Sequence, residues 1–162
     1  MKRFIALDPS TTFTGWAVFQ DESLVAWGKI DTRKVDYSFR FQFIINELIH
    51  LAQQYDFQEI AIEDVKFAWH GTNRNRNIAG LQIVFRSIQE WAKSLDLGLA
   101  AYNPASWKNG VVGSSHASKE TTKENLCFRF PRLPRGLTEH EYDAIAIGIF
   151  HAGLKRLEKM AE

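Results

Sequence analysis

Apolar positions along this chain follow two periods, and the switches between them mark out the elements. Phe4 to Leu7 is a continuous apolar run and reads as a buried strand, left by the Pro9-Ser10-Thr11-Thr12 turn. Thr14 to Gln20 and Leu24 to Asp31 read as two further strands, with Gln20-Asp21-Glu22-Ser23 as the hairpin connection. The period then lengthens. Asp36 is placed to cap a helix from about Tyr37 to Tyr55, in which Phe43, Ile44, Leu48, Leu51 and Tyr55 recur at helical spacing. Glu59 to Glu63 is a short strand. Asn77 to Ser94 is helical, carrying Ile78, Leu81, Val84, Phe85, Ile88 and Trp91 on neighbouring turns. Leu97 to Tyr102 is another strand, ended by Asn103-Pro104. Ser118 caps a helix to about Phe130, with Pro131 and Pro134 beyond it, and Leu137 to about Met160 forms the last helix. The polar stretch Gly71 to Asn77 reads as a loop or the lead into a helix.

The order is three strands, helix, strand, helix, strand, then helices. Short hairpins require antiparallel pairing, and strands separated by helices add in parallel. The expected fold is therefore α/β: a five-stranded mixed β-sheet, its first three strands antiparallel and the next two parallel, flanked by α-helices. With 162 residues, no repeat and no linker, residues 1–162 read as a single domain.

Composition narrows the class without naming it. A hydrophobic content of 45% and a charged content of 24% are ordinary for a soluble globular protein. The single Cys127 excludes an intramolecular disulfide and fits a reducing compartment. No apolar run approaches the ~18 residues of a membrane span, and Asp8 comes too early for a signal-peptide core. We expect a cytoplasmic protein. Net charge is only +1, but its distribution is uneven. Between Val65 and Lys93, five cations face one anion, Glu90; between Tyr102 and Gly136, six cations face Glu120 and Glu124. Such segments suit a polyanion backbone, and equally a solvated mixed-charge surface.

The chemistry lies in acidic residues beside apolar runs. Asp8 closes Phe4-Ile5-Ala6-Leu7, Glu63 closes Ile60-Ala61-Ile62, and Asp143 opens Ala144-Ile145-Ala146-Ile147. A carboxylate beside buried apolar residues is costly unless something neutralises it. Hard divalent ions take oxygen ligands and bridge carboxylates to substrate phosphates. His140, three residues before Asp143, lies on the same helical face. Taken singly, Asp8 could cap its turn, Glu63 could make an ion pair, and His140 could sit on the surface at a helix start. Their joint placement points to a metal-dependent phosphodiesterase.

The chain resembles the RuvC-type Holliday junction resolvases of the RNase H-like (retroviral integrase) superfamily. The resemblance is carried by Ala6 to Trp16, Ala61-Ile62-Glu63-Asp64-Val65, Tyr102-Asn103-Pro104, Trp107 to Gly113, Ala117-Ser118-Lys119 and Glu141 to Ile147, in family order over nearly the whole chain. It implies an RNase H-like sheet, with Asp8, Glu63 and Asp143 as catalytic metal ligands. The fourth position, where members of the family carry either Asp or His, is His140. The cofactor implied is Mg²⁺, with Mn²⁺ able to substitute, and two ions about 4 Å apart would serve the attacking and leaving oxygens. Asp8 would bridge, Glu63 would hold one ion, and His140 with Asp143 the other. Lys119 joins the catalytic set, and Lys66, Phe67, Arg74, Arg76, Lys108 and Lys119 form the DNA-binding set. Two departures are visible: Ser10 replaces the family glycine after Asp8-Pro9, and Phe67 falls one position later than the family aromatic, with Lys66 in its slot.

The activity implied is that of a crossover junction endodeoxyribonuclease, cutting a four-way DNA junction by paired symmetric nicks that leave 5'-phosphate and 3'-hydroxyl ends. A two-fold substrate calls for a homodimer. The helix from Asn77 to Ser94, with Ala79 and Ile83 beside its main apolar stripe, offers a second face for a partner. A cooperating branch-migration motor is left open. Rivals are an RNase H-like nuclease for other branched or hybrid substrates and a junction binder that does not cut. A sugar-kinase or actin-like fold lacks its second phosphate loop here, and Ser114, Ser115 and His116 cannot form a triad as neighbours in sequence.

Overall fold

A computed structural model describes residues 2–65 and 77–162, Asn77 by its backbone alone. Strands β1 (Arg3–Asp8), β2 (Phe13–Gln20), β3 (Ser23–Asp31), β4 (Glu59–Glu63) and β5 (Gly98–Tyr102) form one five-stranded sheet in the order β3-β2-β1-β4-β5. β1 and β2 pair antiparallel, as do β2 and β3, while β4 joins β1 and β5 joins β4 in parallel. This is the mixed sheet expected from the sequence. Helices α1 (Arg40–Tyr55) and α2 (Asn77–Ser94) cover one face; α3 (Pro104–Val112), α4 (Lys119–Arg129) and α5 (Glu139–Ala161) cover the other.

The two-residue period of each strand divides its side chains between these layers. Ile5 and Leu7 of β1, with Ile60 and Ile62 of β4, pack on Ile44 and Leu48 of α1 and on Val84 and Ile88 of α2. Phe4 and Ala6 of β1, with Ala61 of β4, face Ala144, Ile145 and Ile147 of α5. The same alternation puts Asp8, two residues after Ala6, and Glu63, two after Ala61, on the α5 side. Small residues on that side let α5 approach closely. A Cβ on Gly148 would run into the ring of Phe19, and one on Gly15 into the backbone of His140 and Glu141.

One helix and two boundaries differ from the sequence reading by more than a residue. Helix α3 was not expected: Asn103-Pro104 ends β5, as anticipated, but also starts a helix. The Asn103 side chain accepts from Ala105 N at 2.8 Å and Pro104 occupies the first helical position. With Gly110 and two adjacent valines, the segment is a weak helix former, and it ends at Gly113, whose φ is +84°. Asp36 caps a short 3-10 turn, Tyr37–Phe39, which leads into α1. Finally, α5 starts at Glu139, because Thr138 and Glu141 form a reciprocal capping box there. Among the described residues no helix is long and apolar enough to cross a membrane.

Candidate active site

The C-terminal ends of β1 and β4 and the first turns of α5 meet at one edge of the sheet. Leu7 pairs with Ile62, so Asp8 and Glu63 stand one residue further on in adjacent strands about 4.8 Å apart, aimed at the same layer. The first two turns of α5 supply His140 and Asp143. His140 Nδ1 is 2.6 Å from Asp8 Oδ2 in a hydrogen bond. That approach depends on Gly15, the β2 partner of Asp8, which leaves room for the His140 backbone.

Burial dominates the electrostatics. It raises the Asp8 carboxyl above the usual range, against the hydrogen bond and charge of His140 that pull it down. Glu63 is pushed up to about 8 by burial and then by Asp8, despite a bond from Trp107. Asp143 is pushed up to about 7, again by burial and then by Asp8. His140 is raised, chiefly through its bond to Asp8. Three carboxyl groups crowded out of water repel one another, and each gains if positive charge joins them.

Nearby residues already supply part of that charge. Lys108 of α3 lowers the pKa of Asp8, Glu63 and Asp143 alike, and its Nζ lies 5.5 Å from the centre of the Trp107 ring. Lys119, the first residue of α4, is exposed and forms an ion pair with Glu139, beside His140. Lys66, Phe67, Arg74 and Arg76 lie outside the described residues. As positioned, no three His, Cys, Asp or Glu side chains among the described residues already converge on one coordination point. The donor set nevertheless fits a hard divalent ion: carboxylate oxygens with one imidazole, at a point where added positive charge is favoured.

Two residues take parts here that the sequence reading did not give them. Trp107 is fully buried and its indole N–H donates to Glu63 Oε2 at 2.8 Å, fixing that carboxylate's orientation. A buried tryptophan needs a partner for its N–H, and Trp107 opens one of the segments that carry the family resemblance. Ser10, in place of the family glycine, is the second. It is not among the positive-φ residues, so its turn has no need of glycine. Its hydroxyl accepts from Thr12 N at 3.2 Å, and its carbonyl accepts from Thr14 Oγ1 at 2.9 Å, bracing the segment that follows Asp8.

The chain is similar to known proteins over nearly its whole length. Residues 4–151 match the model of the family described as crossover junction endodeoxyribonuclease RuvC. The crossover junction endodeoxyribonuclease RuvC of Roseiflexus sp. is 30% identical, over 92% of this chain and 89% of that protein. The Shewanella sediminis protein of the same name is 26% identical, over 93% and 87%. Among solved structures, T. thermophilus RuvC in complex with Holliday junction substrate superposes with a TM-score of 0.81 at 19% identity, covering 98% of this chain and 97% of that one. The yeast mitochondrial Holliday junction resolvase Ydc2 has a TM-score of 0.58 at 13% identity, over 97% and 81%. A family match running from the first strand into the last helix makes this chain a member of the crossover junction endodeoxyribonuclease RuvC family.

Proposed function

We propose that this chain resolves four-way DNA junctions by paired symmetric nicks, with Asp8, Glu63, His140 and Asp143 holding divalent metal at the reacting phosphate. Family membership makes it a junction-resolving endonuclease, and nucleases of this family depend on divalent metal. The ions are Mg²⁺, replaceable by Mn²⁺, two per site. The observation that carries the reading is the meeting of three burial-raised carboxyls and one imidazole at a single sheet edge.

Bound metal would neutralise charge on the transferring phosphoryl group and promote ionisation of the attacking water. The chain's own residues do the rest. Asp8 sits centrally between Glu63 and His140 and serves both sides of the site. Trp107 holds the Glu63 carboxylate, so it enters the reaction pre-oriented. Lys108 faces the carboxylates and is placed to meet a phosphate oxygen. Lys119 takes a catalytic role by exchanging Glu139 for phosphate, and with Lys66, Phe67, Arg74 and Arg76 it completes the DNA-binding set. The attacking water would give up a proton to solvent as its oxygen bonds to phosphorus, while the bond from phosphorus to the 3' oxygen breaks, and that oxygen departs with the bonding pair and takes up a proton. The products are 5'-phosphate and 3'-hydroxyl ends.

The protein works as a homodimer, with two sites facing one junction. On α2, Val84, Phe85 and Ile88 are buried against the sheet while Ile83 and Ala79 face outwards, which supports an interface on that outer face. A chain that acts on DNA works where the DNA lies, and we place it in the cytoplasm. Incubating labelled four-way junctions, flaps, duplexes and RNA–DNA hybrids with the protein and Mg²⁺ or Mn²⁺ tests the reading. Symmetric nicks confined to the junction are expected. Equal cutting of duplex, flap or hybrid, or tight junction binding without cleavage, would overturn it.

A further inference from the structure

We propose that Lys29 and Arg33, held over the ring of Phe13, form a phosphate clamp that grips the substrate strand beside the carboxylate site. The inference rests on the nuclease reading above and adds a second contact region to it.

The register places the clamp. Asp8 pairs with Gly15, and Gly15 pairs with Lys29, so the three residues form one row across β1, β2 and β3. Residues in one row present their side chains to the same face. Gly15 contributes none, and the first turn of α5 lies over it. Two strand spacings put the backbones of Asp8 and Lys29 about 10 Å apart. Phe13, two residues before Gly15, and its partner Asp31 extend that face towards the rim where Asp8 lies. Lys108 and Lys119 stand on the α3 and α4 flank of the α5 start. Phe13, Lys29 and Arg33 stand on its β3 flank. A strand crossing the start of α5 therefore meets cations on both sides.

The side chains are organised for this task. Lys29 Nζ lies 5.3 Å from the centre of the Phe13 ring and the Arg33 guanidinium carbon 4.7 Å from it. Asp31 accepts from Arg33 Nε at 3.1 Å and from Nη2 at 2.8 Å, which fixes the plane of the guanidinium. A guanidinium has five N–H donors, so the Nη1 edge remains to meet a phosphate. That carboxylate is pulled down to about 2 by its bonds to Arg33, so it stays ionised and holds the fork throughout the neutral range. It also cancels one positive charge. Lys29 and the adjacent, exposed Lys34 leave the segment net positive. The contacts reach phosphate and not bases, so they add affinity and register without sequence preference.

The test measures binding of a fluorescently labelled four-way junction, and of linear duplex, across a salt titration in EDTA. Lys29→Ala and Arg33→Ala should each weaken junction binding about fivefold near ~0.1 M salt. Each should also flatten the slope of log affinity against log salt by about 0.9, the contribution of one phosphate contact. Phe13→Leu, which keeps both cations but removes the ring, should weaken binding by about twofold. Melting temperatures should match the wild type, because the altered side chains of Lys29 and Arg33 are exposed. A Lys29→Ala/Arg33→Ala double variant with wild-type affinity and salt slope would overturn the clamp and leave Lys29 as an ordinary edge-strand lysine that deters pairing. The parent reading fails separately: it is lost if the wild type shows no preference for junction over duplex, whatever the variants do.

Discussion

Gly15 and His140 touch across the sheet: no side chain larger than hydrogen fits at Gly15 without displacing the His140 carbonyl and the Glu141 amide. Because Gly15 is also the ladder partner of Asp8, this contact sets how closely the His140 ring approaches that carboxylate. Gly15→Ala must lift the first turn of α5. We expect a loss of about 1–3 kcal/mol, typical of overpacking, and a fall in cleavage rate larger than the stability loss explains. Gly153→Ala, on the same helix with open space around its Cβ, should leave stability unchanged or raise it by a few tenths of a kcal/mol, up to ~1 kcal/mol. Thermal melts and single-turnover cleavage of both variants check this. Equal behaviour of the two would remove the packing argument.

Asp8→Asn should abolish cleavage and leave junction binding intact or tighter. Asp8 raises the pKa of both Glu63 and Asp143, so removing its charge relieves repulsion within the site and towards phosphate. Its proposed role as ligand has a readout besides activity. Added Mn²⁺ should raise the melting temperature of the wild type, since a ligand that binds only the folded state stabilises it, and should do so far less for Asp8→Asn. A variant that cuts at the wild-type rate would contradict the assignment.

Trp107→Phe tests a residue that acts through another. The ring is retained and the donor to Glu63 is lost. Cleavage should fall about 10- to 100-fold, the range seen when a supporting partner of a metal ligand is removed. Junction affinity should hold within about twofold, because Trp107 is buried and offers nothing to DNA. A matching loss of affinity would show that the indole instead supports the basic residues of α3.

The sheet and the ends of β1 and β4 were legible because strong local signals coincide there: continuous apolar runs, each stopped by a carboxylate. The last helix was legible from its apolar run, and its start shifted only to where Thr138 forms the capping box. Helix α3 was not, because Gly110, Val111 and Val112 weaken its propensity while its start depends on one side-chain bond from Asn103. The contacts Gly15–His140 and Trp107–Glu63 join residues far apart in sequence, and no local period encodes such pairs. Lys29 and Arg33 were passed over for a similar reason. In sequence they sit among Asp31 and Asp36, and only the register aligns them with Asp8.

A second buried imidazole gives the fold a pH dependence. His151 is fully buried, with Nδ1 at 2.6 Å from the Tyr102 hydroxyl and Nε2 at 3.5 Å from Glu59 Oε1, while Lys155 binds the same Glu59 oxygen at 3.1 Å. Burial lowers its pKa, outweighing Glu59 and Glu158, which raise it, with Lys155 adding to the drop. The unfolded chain therefore takes up a proton near 6.5 that the folded chain resists. Its stabilising contribution is full above that pH and is lost as pH falls through the lower folded value. His151→Gln keeps an acceptor for Tyr102 but cannot titrate. Urea unfolding from pH 7.5 to 5 should show the wild type losing more stability than the variant. Parallel curves would mean that His151 does not govern acid sensitivity.

Paired incision depends on two sites meeting one junction, and the proposed dimer would bring them together through α2. Its inner stripe, including Val84, Phe85, Ile88 and Trp91, is consumed by the core, whereas Ile83 is 47% exposed on the opposite face. An aspartate at position 83 would cost the monomer little, since it replaces a solvent-facing side chain. In a dimer closed through this face, the same change buries an unpaired charge twice across a two-fold axis. We expect Ile83→Asp to keep its melting temperature at low protein concentration and to shift from dimer to monomer in light scattering. Simultaneous nicking should then decay into independent single nicks, visible on a supercoiled cruciform plasmid as nicked circles in place of linear product. The proposed metal site lies at the sheet edge beneath α5, so single-nick chemistry should persist. An Ile83→Asp protein that stays dimeric and yields linear product would exclude the outer face of α2 as the interface. A wild type that scatters as a monomer yet makes paired cuts would exclude the dimer itself.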